Sequence, residues 1–182
     1  MTDSFRIVAT SQLLQSHVFD VERRVVSHEG ETFERDVVVH SGAVAILAIN
    51  SIGEVGVIRQ YRAPFDRFTL EIPAGTQDVT GEAPLETAQR ELREELGCLA
   101  EHWRVLGRFM NSPGWTDQVM TIFEATGLTT LERSPDGPEE RASRVQWLSR
   151  EDLRNAFAQE DALDSTMAVA LNRVFGDLFE QR

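Results

Sequence analysis

Residues 71–98 read EIPAGTQDVTGEAPLETAQRELREELGC, and the fold turns on how this stretch is read. Its second half carries helix punctuation at both ends: Pro84 suits a first helical position, and Gly97 suits the residue just past the end. Leu85, Ala88, Leu92 and Leu96 are spaced 3, 4 and 4 apart, which makes one apolar stripe on a helix. Glu91, Glu94 and Glu95 fall on the adjoining side, with Glu91 and Glu95 stacked one turn apart. Like charges at that spacing cost a helix roughly 0.2–0.5 kcal/mol per pair. Glu86 and Arg90 are spaced for a favourable i,i+4 pair near the helix start.

Three readings fit the crowded carboxylates. One is a solvated helix face, the common fate of a charge run. A second is a carboxylate pair for general acid–base chemistry, which needs separated environments that spacing alone does not reveal. The third is a divalent cation site: Mg²⁺ and Mn²⁺ take hard oxygen ligands, keep positions for water and phosphate, and cancel the repulsion. The single sign of the cluster, beside a packing stripe, argues against an idle surface.

Working outward, residues 5–70 run as alternating or β-branched segments (FRIVA, HVFDVERRVV, FERDVVVH, AVAILAI, EVGVIRQY) broken by SHEGE, SG and NSIGE. Such short connections predict a largely antiparallel meander. Near residue 40 the charged alternating strands give way to a buried apolar run, which predicts an antiparallel β layer at 1–40 and a second unit at 41–182. Beyond the helix, strands are expected at about 104–110 and 118–125, a turn-rich charged loop at 132–143, and a last strand at RVQWL. Two helices close the chain at about 150–159, capped by Ser149, and 164–179, capped by Asp164 or Ser165. Their apolar faces include Leu153, Phe157, Met167, Leu171 and Phe175.

The 182 residues suffice for one domain with a proper core, and 41% apolar with 26% charged residues is an ordinary globular balance. A net charge of −12 argues against nucleic acid or an anionic membrane surface as partner. An anionic substrate would then need local arginines or a cation. Cys98, alone, permits no internal disulfide and reads as a small core residue. The opening MTDSFRIVAT lacks the basic and apolar regions of a signal peptide, and AVAILAI is too short to span a bilayer, so a cytoplasmic protein is expected. His17, His28, His40 and His102 have no ligand spacing.

The stretch 71–98 resembles the Nudix box, a loop–helix–loop of the form G-x5-E-x7-R-E-U-x-E-E-x-G-U with U apolar. Glu82, Arg90, Glu91, Leu92, Glu94, Glu95, Gly97 and Cys98 match it, while Gly75 stands one residue further from Glu82 than the pattern asks. The resemblance implies an α/β fold, the Nudix α/β/α sandwich with a mixed sheet, here preceded by the small antiparallel β layer. It also implies hydrolysis at the pyrophosphate of a nucleoside diphosphate linked to another group. By the same resemblance Glu91 and Glu95 are metal ligands, Glu94 is a third, the backbone carbonyl of Ala74 is a fourth, and Arg90 orients the glutamates. The implied cofactor is Mg²⁺, with Mn²⁺ as a substitute.

NSPGWTDQ at 111–118 is similar to a segment of ADP-ribose pyrophosphatases, and Pro113 lies sixteen residues after Gly97, a spacing associated with ADP-sugar hydrolysis in that superfamily. VIRQYRAPF, EIPAG, FERDVVVHSGAVAIL and ALDSTMAVAL extend the likeness over about residues 33–175, and the longer loop resembles that of actinobacterial members. The match implies that Arg62 contacts the diphosphate or its sugar and that Glu71 lines the pocket. It also places Pro113, Gly114 and Trp115 at the substrate, where Trp115 stacks on a base or ribose or wedges the loop. Arg59 and Arg62 are expected to share one strand face as a guanidinium fork for the diphosphate. Gln118 stands where many relatives carry Glu.

Carboxylates that hold a cation are poor bases, so the proton acceptor is sought elsewhere. The segment DGPEERASRVQW offers Glu139 and Glu140 on an expected loop, and alignment through Trp147 with the family favours Glu140. The product reading is AMP and ribose 5-phosphate from ADP-ribose. The alternatives are a GDP-mannose or UDP-sugar pyrophosphatase and a non-catalytic ADP-ribose sensor, which need not keep three glutamates. By resemblance the 1–40 layer docks on, or swaps with, a second copy in a homodimer.

Overall fold

Strand β4 (Ala43–Ala48) is buried along its whole length and divides the core in two. Ala43, Ala45 and Leu47 join one cluster, while Val44, Ile46 and Ala48 join another, as side-chain alternation requires. The computed structural model describes residues 4–160 and 162–176. Before β4, strands β1 (Arg6–Gln15), β2 (Asp20–His28) and β3 (Glu31–Val39) form an antiparallel sheet in the order β1-β2-β3.

After it come β5 (Val55–Arg62), β6 (Arg67–Glu71), β7 (Ala74–Thr76), helix α1 (Pro84–Glu91), and the long hairpin β8 (Cys98–Met110) and β9 (Val119–Thr130). Helix α2 (Gly137–Ala142), β10 (Arg144–Leu148), α3 (Arg150–Gln159) and α4 (Ser165–Phe175) complete the described chain. A mixed sheet runs β7-β4-β9-β8, with β4 and β9 parallel, and a third, antiparallel sheet runs β10-β5-β6. Helix α1 packs through Ala88, and the turn that continues it through Leu92, on the cluster of Val44, Ile46 and Ile58. Leu153 of α3 and Met167 and Leu171 of α4 pack on the opposite cluster with Leu47, Val57 and Ile122. The result is an α/β/α sandwich with a small antiparallel sheet in front of it.

Four expectations need correction. The helix at 84–96 does not stay α-helical: Leu92–Leu96 wind as a π turn before Gly97 closes it in the left-handed region at φ 64°. Leu85 is 37% exposed and outside both core clusters, lining an open groove with Val105, Val119 and Thr121 of the sheet. The charged loop at 132–143 contains α2, for which Asp136 caps by accepting Gly137 N–H. The hairpin strands run much further than 104–110 and 118–125. The last helix reaches Phe175; the expected extension to 179 lies outside the described residues from 177 on.

Candidate active site

Everything at this site starts from the turn between β7 and α1. Ala83, an N-cap without a polar side chain, has its N–H taken by Glu86 at 2.8 Å, which leaves Glu86 unavailable to Arg90. Arg90 instead turns to a ring of carboxylates. Its Nε and Nη2 reach the two oxygens of Glu82, both at 3.4 Å, and its Nη1 donates to Glu91 Oε1 at 2.7 Å and Glu94 Oε2 at 3.1 Å.

The carboxylates do not lie on an open helix side. Glu91 is 6% and Glu95 2% exposed. The wider i→i+5 turn of Leu92–Leu96 carries Glu95 off its α-helical place beside Glu91 and toward the sheet, where its Oε2 accepts Ala74 N–H at 2.9 Å. Gly75 makes room for Glu91: a Cβ there would lie 2.0 Å from Glu91 Oε1. Burial pushes the Glu91 carboxyl up to about 7 against the pull of Arg90, with Glu94 and Glu140 adding repulsion. Burial also holds Glu95 well above the ordinary carboxylate range, opposed by Ala74 N–H. Ionised carboxylates this deep lack the water that would stabilise them.

Among the described residues no three of these groups converge as a ready-made cation cage, because Arg90 Nη1 lies between Glu91 and Glu94. The donor set nevertheless fits a hard divalent cation: only oxygens are offered, and two buried, mutually repelling carboxylates lack a full counter-charge.

The α2 helix adds a fifth carboxylate to Glu82, Glu91, Glu94 and Glu95. Glu140 repels Glu91, Glu94 and Glu95, whereas Glu139 is felt by Tyr61 and Arg62. Glu140 Oε2 accepts Asp136 N–H at 2.7 Å, and burial raises its carboxyl against that bond. The short helix is tied down by Arg133, whose Nη2 donates to Ser143 Oγ at 2.8 Å while that hydroxyl donates to the Glu140 carbonyl at 2.7 Å. The helix therefore gives the two adjacent glutamates different neighbours, with Glu140, the one the family likeness favours, beside the carboxylates.

The expected guanidinium fork is not formed. Residues an odd number apart on a strand face opposite ways, so Arg59 and Arg62 part company. Arg59 leaves toward α3 and donates to Glu160 at 2.7 Å. Arg62 makes a bidentate pair with buried Glu71, at 2.9 and 2.6 Å, and Thr69 Oγ1 donates to the same carboxylate. Arg62 also feels Glu95 and Glu139, which sets the Arg62–Glu71 pair beside the carboxylates.

Pro113, Gly114 and Trp115 sit elsewhere in the single chain. They line a groove with Ile7, Val26 and Val37 of the N-terminal sheet, and the Trp115 carbonyl accepts Val38 N–H at 2.8 Å. Trp115 is 57% exposed. The following residues pin the two parts together. Asp117 accepts His40 N–H at 3.0 Å and Arg24 Nη2 at 3.2 Å, and Gln118 bridges the His40 ring and Asn111. Gln118 thus has a structural role that its sequence position alone did not suggest. Nor did sequence spacing reveal Glu160, whose partner Arg59 lies far away in the chain, or Thr69, Arg133 and Ser143, whose partners are near in sequence but meet them only through the strand alternation of β6 and the turn of α2.

A model of the NUDIX domain matches residues 39–168. The chain is 35% identical over 171 residues to an ADP-ribose pyrophosphatase of Mycobacterium tuberculosis, covering 91% of this chain and 83% of the relative. It is 32% identical over 167 residues to an ADP-ribose pyrophosphatase of Bacillus subtilis, covering 91% and 90%. A methanol dehydrogenase activator of Bacillus methanolicus is 30% identical, also over 91% and 90%. In fold, the chain superposes on a solved structure of an ADP compounds hydrolase with a TM-score of 0.80 at 22% identity, covering 96% and 94%. No helix among the described residues is long and apolar enough to cross a membrane.

Proposed function

This chain belongs to the Nudix family, and on that premise we propose that it hydrolyses the pyrophosphate of ADP-ribose to AMP and ribose 5-phosphate. The observation that carries the reading is the likeness to two ADP-ribose pyrophosphatases over 91% of the chain, with Glu82, Arg90, Glu91, Glu94 and Glu95 drawn together in one network. The Ala74 carbonyl, Glu91, Glu94 and Glu95 would hold a divalent cation, Mg²⁺ or in its place Mn²⁺. When bound, such a cation neutralises the diphosphate and makes attack on phosphorus by water easier.

The chain's own groups do the rest. Arg90 fixes Glu91 and Glu94, and Ala74 N–H fixes Glu95. Arg62, braced by Glu71, offers the diphosphate a local positive charge in a protein of net charge −12. Glu140, turned toward the glutamates, takes the proton of the attacking water, a role its raised carboxyl suits. Glu139 is the second choice for that role. Arg59, on the other strand face, supports α3 through Glu160 rather than touching substrate.

The same reading includes a cytoplasmic homodimer in which residues 1–40 dock on a second copy. Support comes from the N-terminal sheet, where Phe5, Ile7, Val8, Leu13 and Leu14 are each about half or more exposed. A dimer would also bring Pro113, Gly114 and Trp115 to a composite pocket.

The test is a panel of ADP-ribose, GDP-mannose and a UDP-sugar, with Mg²⁺ or Mn²⁺, followed by phosphatase-coupled phosphate release. The expected result is the highest kcat/KM with ADP-ribose and equal yields of AMP and ribose 5-phosphate. A preference for another nucleotide sugar would reassign the substrate, and tight binding without cleavage would make the protein a sensor.

A further inference from the structure

Thr87 is a fully buried hydroxyl on α1, with 0% exposure, one turn before Glu91. A threonine inside a helix habitually turns its hydroxyl back to the carbonyl four residues earlier. Here that carbonyl, Ala83 O, is 3.4 Å away and already accepts Thr87 N–H at 3.1 Å. The Thr87 Oγ1 proton goes instead to Glu82 Oε2 at 2.9 Å, a charged acceptor and the shorter contact.

Glu82 in turn faces Arg90 with both oxygens, but each at only 3.4 Å. Long contacts to a flexible guanidinium do not by themselves fix a carboxylate's rotation. The buried Thr87 hydroxyl does, because it has one strong acceptor and no water to exchange with. With Glu82 fixed, Arg90 Nε and Nη2 are held on one side and Nη1 is left aimed between Glu91 and Glu94. We propose that Thr87 is a positioning residue for the carboxylate site, acting through Glu82 and Arg90. It touches neither substrate nor cation.

The proposal rests on the pyrophosphatase reading for its effect on turnover, though not for its effect on Arg90. Two substitutions separate hydroxyl from shape: Thr87→Val keeps the branch and volume, and Thr87→Ser keeps the hydroxyl. The direct readout, needing neither metal nor substrate, is hydrogen exchange at Arg90 Nε followed by ¹⁵N NMR of the full chain. Exchange should quicken about tenfold in Thr87→Val and stay within twofold of wild type in Thr87→Ser.

Mn²⁺ affinity, by titration calorimetry, should fall about tenfold in Thr87→Val, the lower end of the usual effect of such supporting groups. kcat on ADP-ribose should fall similarly while KM changes little. A cycle with Glu82→Gln guards against a general loss of stability, because once Glu82 can no longer hold Arg90, adding Thr87→Val should change Arg90 exchange no further. Unaltered Arg90 exchange in Thr87→Val, or equal effects of Val and Ser, would overturn the proposal. The expected Arg90 effects in the variants, with a wild-type chain that cleaves no nucleotide sugar, would instead overturn the pyrophosphatase reading alone.

Discussion

The loop–helix at 71–98 and the N-terminal sheet depart from ordinary burial in opposite directions. The first hides charge: Glu71, Glu91 and Glu95 are all buried. The second shows apolar surface: every residue of β1 is exposed, including Ile7 and Val8 at 57% each. Neither arrangement minimises free energy for a lone chain in water. On the proposed reading, a divalent cation would supply counter-charge at Glu91 and Glu95, whereas Glu71 already has Arg62, and a second copy would cover the apolar strand. The comparison teaches how the proposed function divides the molecule: a cation would answer the buried charge of one region, and a second copy the exposed apolar strand of the other.

The largest effects should come from removing charge where it is hidden. Glu91→Gln and Glu95→Gln should each lower kcat/KM on the order of 10⁴-fold, the worth of several kcal/mol of cation-assisted stabilisation, with ADP-ribose turnover as the assay. Glu140→Gln should lower kcat by about 10²–10⁴-fold with Mn²⁺ affinity little changed, as general-base loss does. Glu139→Gln turning over slowly while Glu140→Gln works normally would reverse that assignment. Gly75→Ala should cost about 10²-fold, because its new Cβ would displace the Glu91 carboxylate. The smallest effect belongs to the other region. Paired Ile7→Glu and Val8→Glu should weaken self-association about tenfold or more by sedimentation. A wild-type chain sedimenting near 20.5 kDa at micromolar concentration would contradict the dimer and reduce the comparison to one region.

Much of this was legible in the sequence where chemistry is local. Pro84 and Gly97 bracket the helix, the spacing of Ala88, Leu92 and Leu96 marks its packing side, and the unbroken apolar run at 43–48 fits a strand with a core on each face. What escaped was geometry that depends on a departure from regular periodicity or on a distant partner. An α-helical wheel keeps Glu95 beside Glu91 on an open side, whereas the π turn swings it under the sheet to Ala74. The run DGPEERA looks like a loop because Gly137 and Pro138 open it, yet Pro138 and the Asp136 cap suit a helix start. The two-residue period of a strand puts Arg59 and Arg62 on opposite faces, and their acceptors, Glu160 and Glu71, are fixed by tertiary structure.

The central claim, that the buried glutamates are held in readiness for a divalent cation, is tested most directly by thermal unfolding at neutral pH. Wild type and Glu91→Gln would be melted with and without Mn²⁺. Without metal, Glu91→Gln should be the more stable, because it removes a buried carboxylate that its neighbours repel. Saturating Mn²⁺ should raise the wild-type Tm by several degrees through binding to the folded state and leave Glu91→Gln nearly unmoved. A wild-type Tm indifferent to Mn²⁺, with Glu91→Gln the less stable protein, would contradict the account.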